Sequence, residues 1–252
     1  MDNIKEIEAA IRLSRMKGVG AAGFKQLLSD CKLPTAALEK WLLIKPDDRK
    51  LLKVSKGKNT GEDMIETSLR KLLEEKYYAY YYSQEGYPRQ LCDLGEPPPV
   101  IFSTAKLQKH KYAAVVGSRH SSEEKQEYAR KITKELMKQG FAIVSGGAAG
   151  IDTIALQTAV ENNGYAMVIL ANGLDITYPR ENRELFNEIR SRGTLITELM
   201  FGAQPQKGFF PTRNRLISAL ADVVIAIPGS SKSGSLITAN WAKKLHRSVT
   251  IC

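Results

Sequence analysis

The sequence has few of the residues that hold metal ions or form disulfides. Its 252 residues include three cysteines and three histidines. These are Cys31, Cys92, Cys252, His110, His120 and His246. The cysteines lie far apart without a C-x-x-C pair, and the histidines lack the spacing of metal ligands. We therefore expect no disulfide framework, no metal site and no cofactor, and we expect a reducing, cytoplasmic location.

Long apolar segments and hydrolase motifs are absent too. No run approaches the roughly 18 apolar residues that a membrane-spanning helix needs, so no membrane contact is predicted. Residues 1–11 include acids and lack the basic start and apolar core of a signal peptide. No combination of serine, histidine and acid stands out by motif. These absences argue against an exported protein, a membrane protein and a serine hydrolase.

What the sequence has in excess is positive charge. Lysine and arginine number 37 against 27 aspartates and glutamates, which gives a net charge of +10 and a pI near 9.4. This balance favours a polyanionic partner, nucleic acid above all, although it also occurs in proteins without such a partner. The length and the 43% hydrophobic content suffice for one large domain and a smaller one.

From Tyr112 onward, apolar runs of strand length alternate with segments of helical period. The predicted strands are Tyr112–Gly117, Phe141–Ser145, Tyr165–Leu170, Leu195–Leu199, Asp222–Ile227 and Arg247–Ile251. The predicted helices are Glu123–Gln139, Ile151–Asn162, Glu181–Ser191, Asn214–Leu220 and Ser235–Leu245. This alternation is typical of a parallel sheet covered on both faces. The sequence therefore predicts an α/β fold with a Rossmann-like, doubly wound, mostly parallel sheet.

The first hundred residues differ from this pattern and predict a small N-terminal helical domain of the helix-hairpin-helix or SAM-like type. Ile11–Leu28 indicates two helices joined at Gly18-Val19-Gly20, a hairpin that either presents amides to a DNA phosphate or only packs. We assign residues 1–75 to this domain, 76–110 to a connecting strand and proline-rich linker, and 111–252 to the Rossmann-like domain. A C-terminal winged-helix domain is not expected.

Two biased segments lie within this first part of the chain. Lys53–Thr60 is basic and polar, and Tyr77–Tyr82 carries five tyrosines. Exposed tyrosines can stack on unpaired bases. Packing within a covered strand is the favoured interpretation, because aromatic residues are enriched in strands.

The most informative segment is Val144–Asp152, which leaves an apolar strand and enters a helix through a glycine-rich turn. Glycines allow close backbone approach, and the amides at a helix start favour an anion, so a phosphate cradle is predicted. No Gly-Lys-Ser/Thr follows and the G-x-G-x-x-G spacing is missing, which excludes a Walker A loop and a strict dinucleotide motif. The alternative is a tight turn that binds nothing.

The loops that follow the predicted strands carry many arginines, lysines, serines and glycines. Because these loops converge at the carboxyl edge of a parallel sheet, we expect one DNA or phosphate site there. Its candidate residues are Arg119, Ser145, Gly146, Gly147, Arg180, Asn182, Arg183, Lys207, Phe210, Arg213, Asn214, Arg215, Ser233, Gly234 and Ser235. Phe210 stacks on a base in this interpretation, although it fits the core equally well. Each arginine alone is also compatible with a solvated surface position or an ion pair.

Three acids lie near the same loop ends, and no catalytic residue is predicted among them. Asp152, Asp175 and Glu198 have the chemistry of a general base. Capping of helices, ordering of loop amides or pairing with the arginines is the favoured role.

At these motifs the chain resembles the DNA-processing protein A family, also called DprA or Smf. The motifs that carry the resemblance are Val116–Arg119, Val144–Gly147 with Gly150–Asp152, Gly173–Asp175 with Tyr178–Arg183, Phe210–Ile217 and Ser233–Ala239. The resemblance implies a cytoplasmic protein without turnover chemistry that binds single-stranded DNA. It also implies a homodimer formed through the Rossmann-like domain, and help in loading the RecA recombinase during natural transformation.

The same resemblance implies that the cations of the site hold the DNA backbone. If Arg119, Arg180, Arg183, Lys207, Arg213 and Arg215 all met phosphates, the logarithm of the binding constant would fall against the logarithm of salt concentration with a slope of about −4. The second hypothesis is a nucleotide-binding enzyme or sensor of the phosphoribohydrolase type. That type carries a Pro-Gly-Gly-x-Gly-Thr turn followed by a catalytic glutamate, whereas Pro228-Gly229 leads into a serine-rich turn here.

Overall fold

The computed structural model describes residues 2–44, 61–231 and 233–252. The basic stretch Lys53–Thr60 and Lys232 lie outside these residues. The described residues form an N-terminal helical unit and an α/β part built on one sheet.

The described N-terminal part of the chain forms four helices. They are α1 (Asp2–Arg15), α2 (Gly20–Cys31), α3 (Pro34–Ile44) and α4 (Gly61–Glu74). The predicted hairpin is confirmed: α1 and α2 are joined by a short turn in which Val19 N–H donates to the Met16 carbonyl. Gly18 and Gly20 have φ of +85° and +55°, a region that favours glycine, which explains the two glycines at this turn.

The rest of the described chain builds one eight-stranded sheet. Its strands are β1 (Tyr78–Tyr81), β2 (Val100–Ser103), β3 (Tyr112–Gly117), β4 (Ala142–Ser145), β5 (Ala166–Ile169), β6 (Thr194–Thr197), β7 (Val223–Ile227) and β8 (Ser248–Ile251). The strand order is β1-β2-β6-β5-β4-β3-β7-β8. The six strands from β3 to β8 pair in parallel, whereas β1 and β2 add an antiparallel extension beside β6. The predicted doubly wound, mostly parallel sheet is confirmed.

Helices cover both faces of this sheet. They are α5 (Glu123–Lys138), α6 (Ile151–Glu161), α7 (Arg183–Arg192), α8 (Phe209–Leu220) and α9 (Gly234–Lys244). α5, α6 and α7 pack on one face, and α8 and α9 pack together on the other. Most strand residues are fully buried between these layers, which explains why they form uninterrupted apolar runs in the sequence.

The structure differs from the prediction mainly where helices begin. α8 starts at Phe209 instead of Asn214, because Pro211 in the first turn removes only an N–H that has no partner within the helix. The predicted helix at Glu181 is divided into a 3-10 turn over Arg180–Asn182 and α7. The strand ends shift by one or two residues, which is the usual uncertainty at element boundaries.

The tyrosine-rich segment forms β1 and packs against its neighbours, which confirms the favoured interpretation. Tyr80 and Tyr81 are buried, while Tyr78 is 40% exposed. The Tyr80 hydroxyl accepts a hydrogen bond from Leu107 N–H at 3.2 Å. Among the described helices, none is both long enough and apolar enough to span a membrane.

The N-terminal helices share a core with one face of the sheet. Ile65 of α4 is fully buried, and the Ser68 hydroxyl accepts a hydrogen bond from Phe201 N–H at 3.3 Å. Phe201 in turn lies edge-on to Phe102 of β2 and to Tyr77. This packing holds α1 beside the carboxyl edge of the sheet, where the loops of the predicted site converge.

Candidate nucleic-acid interface

The glycine-rich turn between β4 and α6 is built by close packing. Gly147 and Gly150 have φ of +66° and +84°, so both positions favour glycine. A Cβ atom on Gly146 would lie 2.5 Å from the Arg213 guanidinium, and one on Gly147 would lie 2.7 Å from Phe186. The glycines are therefore required by the neighbours of the loop as well as by its conformation.

Asp152, in the first turn of α6, orders the loop amides from behind. Its carboxylate accepts hydrogen bonds from the amides of Gly117 and Gly146, both at 3.1 Å, and from Ala148 at 3.5 Å. Burial raises the pKa of Asp152, opposed by Arg213 and by these amides. The prediction that Asp152 orders loop amides is confirmed.

This arrangement reduces the number of loop amides that could bind a phosphate. The amides of Gly146 and Ala148 turn inward to Asp152, and Ile151 N–H donates to the Ser118 carbonyl at 3.1 Å. The amides of Gly147 and Ala149 are among those for which the described residues offer no hydrogen-bond acceptor. Only part of the amides at the start of α6 is therefore available to an anion.

Asn182 fixes the outer side of the loop. It is 5% exposed, and its amide group donates to the Gly147 carbonyl at 3.0 Å and to the Thr153 hydroxyl at 2.8 Å. Thr153 donates to the Ala148 carbonyl at 2.8 Å. The loop is thus held from two sides, so its free amides are preorganised.

Arg213 lies inside the molecule, beneath the loop. Its side chain, 5% exposed in the folded chain, donates to the carbonyls of Gly146, at 2.5 Å, and Ile169. The guanidinium therefore closes the gap between the ends of β4 and β5. Burial lowers the pKa of Arg213 to about 10, and the charge of Asp152 opposes this shift.

An aromatic and cationic cluster borders the same loop on the solvent side. The Arg119 guanidinium lies 5.5 Å from the ring centroid of Phe210, within cation–π range. The Phe210 ring lies 5.7 Å from that of Tyr178, which is 42% exposed. These three residues and the glycine loop line a cavity of about 80 Å³. Loop amides without an acceptor, an exposed cation and aromatic rings meet in this cavity.

Arg215 and two acids of the loop ends have internal partners. Arg215 forms an ion pair with Glu198 and donates to the Glu96 carbonyl at 2.9 Å. Burial raises the pKa of Glu198, and Arg215 opposes this shift. Asp175 accepts hydrogen bonds from Gly202 N–H at 2.9 and 3.1 Å. The predicted pairing of these acids with amides and arginine is confirmed.

The remaining predicted site residues have different surroundings. Ser145 is fully buried, and its hydroxyl donates to the Val115 carbonyl at 2.6 Å, so this side chain does not face the cavity. Asn214 joins the starts of α8 and α9 by donating to the Gly234 carbonyl at 3.3 Å. The hydroxyls of Ser233 and Ser235 lie 2.8 Å apart, and neither residue lines the cavity beside Arg119.

The exposed cations are a smaller set than the predicted one. They are Arg119, Arg180, Arg183 and Lys207. Arg180 follows Pro179, which lines the cavity, and Lys207 lies two residues before α8. The sequence reasoning omitted Tyr178 from the site, although its position in the Tyr178-Pro179-Arg180 motif carried the signal.

Comparison with known proteins places this chain in a family. The sequence profile described as "DNA recombination-mediator protein A" matches residues 79–252. The chain belongs to this family. Among curated members, protein Smf of Synechocystis is 38% identical over 169 residues, which are 65% of this chain and 42% of that protein. DNA processing protein DprA of Streptococcus pneumoniae is 34% identical over 177 residues, or 69% of this chain and 62% of that protein.

Two solved structures of family members resemble the fold. DNA processing protein A of Helicobacter pylori, described for its single-stranded DNA binding mode, has a TM-score of 0.63 at 30% identity and covers 70% of this chain and 80% of that chain. The Streptococcus pneumoniae protein has a TM-score of 0.67 at 28% identity, covering 89% and 72% of the two chains. The chain spans between 42% and 62% of the length of the curated DprA and Smf relatives from Synechocystis, Bacillus subtilis and Streptococcus pneumoniae.

Proposed function

We propose that this protein binds single-stranded DNA at the carboxyl edge of its parallel sheet and acts as a recombination mediator. The observation that carries the proposal is the cavity where the free amides of Gly147 and Ala149 lie beside Arg119, Phe210 and Tyr178. Amides and arginine suit phosphate oxygens, and exposed aromatic faces suit unpaired bases. A duplex would offer its phosphates to this cavity but not its base faces.

The mediator role rests on family membership and on the relatives. The Helicobacter pylori relative is described by its single-stranded DNA binding, and the relatives from Bacillus subtilis and Streptococcus pneumoniae are named DNA processing protein DprA. We extend this to the loading of a RecA recombinase in the cytoplasm, as in natural transformation, and to a homodimer formed through the Rossmann-like domain. In this proposal the protein holds the strand and catalyses no reaction, because Asp152, Asp175 and Glu198 are engaged by amides or arginine.

A binding titration tests the proposal, and the salt dependence of binding measures how many exposed cations contact phosphates. We compare single-stranded DNA, duplex DNA and a mononucleotide at 50 and 200 mM salt. If the four exposed cations contact phosphates, the log–log slope for the single strand is about −3, which weakens binding by roughly 50-fold between these concentrations. The slope of about −4 expected from six cations is reduced because Arg213 and Arg215 are engaged internally.

The same titration separates the proposal from the nucleotide-binding alternative. Preference for the single strand over the duplex, with weak mononucleotide binding, supports the mediator. Tight mononucleotide binding with a flat salt response would refute the proposal. Release of a free base from a nucleoside monophosphate by the purified protein would instead favour the phosphoribohydrolase type.

A further inference from the structure

A second and larger cavity lies beside the cavity of the glycine loop and is not explained by phosphate binding. Its volume is about 270 Å³. It lies between the last turn of α1 and the carboxyl ends of β5 and β6, and Ser14 and Arg15 contribute to its wall from α1. The N-terminal helical unit and the sheet therefore build this space together.

The two cavities are neighbours along the edge of the sheet. Leu170, Ala171 and Arg213 line both of them. The consecutive phenylalanines at the start of α8 divide them, since Phe209 lines the larger cavity and Phe210 the smaller. A strand whose phosphate lies at the glycine loop therefore passes close to the larger cavity.

The lining of the larger cavity has the chemistry of a base pocket. Most of its exposed surface is apolar, with flat or aliphatic faces from Phe102, Phe209 and Met200. Polar groups of both kinds also line it: Arg15 carries hydrogen-bond donors, and Glu198, although paired with Arg215, has acceptor sites beyond that pair. A nucleobase has apolar faces and an edge with donors and acceptors. A free phosphate fits worse, because a carboxylate belongs to the lining.

We propose that this cavity receives one base of the bound strand, so that α1 is part of the DNA site. The proposal rests on the single-stranded DNA binding proposed above and identifies its specificity element. The volume is close to the lower end of pockets that hold small molecules, about 300 Å³, which suits one base and not a larger group. The base is turned into the cavity while its phosphate stays at the glycine loop.

The test compares oligothymidylate with an oligomer of the same length whose residues are abasic. The wild-type protein should bind the abasic oligomer at least about 5-fold more weakly, because stacking and pocket contacts are lost. Stacking on Phe210 contributes to this difference as well. Variants that fill only the larger cavity therefore show how much of this affinity difference comes from that cavity.

Ser14→Leu places a larger apolar side chain into the cavity from α1, and Thr212→Leu does so from α8. Ser191→Leu is the matched control for Ser14. Both serines lie at the end of a helix and donate to the carbonyl three residues earlier at 2.7 Å, but Ser191 is exposed on α7. Each variant is first compared with the wild type by thermal unfolding, and either cavity variant that folds suffices.

The outcomes are distinct for the two proposals. We expect the cavity variants to bind oligothymidylate more weakly, by about 5-fold or more, and the abasic oligomer as the wild type does. Ser191→Leu should match the wild type with both. Equal wild-type affinity for the two oligomers, or an unchanged preference in a folded cavity variant, overturns the base pocket. Absence of binding to both oligomers overturns the single-stranded DNA function itself.

Discussion

Arg119 and Arg213 line the same cavity, yet their surroundings are opposite. The Arg119 side chain is exposed over the Phe210 ring, whereas Arg213 is 5% exposed and donates to two backbone carbonyls. The same contrast separates Arg180 and Arg183, which are exposed, from Arg215, which is paired with Glu198. Both groups of arginines lie in loops or helix starts at the carboxyl edge of the sheet.

In the proposed function, this difference divides the site into a part that contacts DNA and a part that holds the loop. A buried guanidinium that donates to backbone carbonyls stabilises the glycine loop and contributes less to a ligand outside. An exposed guanidinium contributes little to folding, and its interaction with phosphates depends on salt. Substitutions in the two groups should therefore separate unfolding free energy from DNA affinity.

Removal of the buried arginine has the largest expected effect. Arg213→Ala leaves the carbonyls of Gly146 and Ile169 without their donor and Asp152 without its compensating charge. We expect the free energy of unfolding to fall by about 3–5 kcal/mol in a urea titration, with DNA binding lost in parallel. Arg119→Ala should change it by no more than about 0.5 kcal/mol. Wild-type stability with selective loss of DNA binding in Arg213→Ala would place Arg213 in direct contact with DNA.

A methyl group on the glycine loop should have the next largest effect. In Gly147→Ala the new Cβ meets Phe186 and Val168 at a φ of +66°, so the loop must shift. We expect a loss of about 1–3 kcal/mol in the free energy of unfolding and weaker oligonucleotide binding. Gly208→Ala is the control, since none of the described neighbours lies within 4 Å of the position that its new methyl group would take. Equal behaviour of the two variants would show that the loop is not constrained by its packing.

Removal of exposed cations should change binding and leave stability unaltered. In Arg119→Ala/Arg180→Ala the log–log salt slope should change from about −3 to about −1.4, because two phosphate contacts are lost. Lys138→Ala serves as the control, since this exposed lysine ends α5 at the opposite edge of the sheet. A slope that stays at its wild-type value in the double variant would remove both arginines from the DNA contact.

The smallest effect concerns the pH dependence of stability. Burial raises the pKa of Glu198 above its ordinary value of 4.5, so the folded state holds this proton more tightly than the unfolded state. Its contribution to stability is fully present below pH 4.5 and is lost as pH rises through the raised pKa. Glu198→Gln removes this dependence. The unfolding free energy of the wild type minus that of the variant should therefore fall as the pH rises above 4.5. A difference that does not change with pH would contradict the raised pKa of Glu198.

Much of the fold was predictable because local periodicity carries it. Strand β3 and the start of α6 fall where the sequence predicts them, since apolar runs and glycine punctuation are local signals. The start of α8 was missed because Pro211 suggests an end to regular structure, although the first turn of a helix accepts proline. The antiparallel addition of β1 and β2 was not predicted, because pairing partners lie far apart in the chain.

The loops that form the site were predictable from the sequence, whereas the contacts of their side chains were less so. The sequence placed Gly147, Arg119 and Phe210 at one edge of the sheet, and the structure brings them to one cavity. It did not distinguish Arg213 from Arg119, because residue type and loop position are the same for both. The larger cavity was also beyond prediction, since Ser14 and Phe209 come from distant parts of the chain.

The sequence by itself determined the order of strands and helices, the glycine-rich turn and the excess of positive charge at the strand ends. These properties depend on residues that are close together in the sequence, so their spacing can be read directly from it. The tertiary structure alone decided which charges face solvent. Arg213 meets a carbonyl 67 residues away, and Asp152 meets an amide 35 residues away. Burial at such contacts removes a charged group from water. Only the assembled sheet therefore separates the cations that hold the loop from those that remain in solvent and available to DNA.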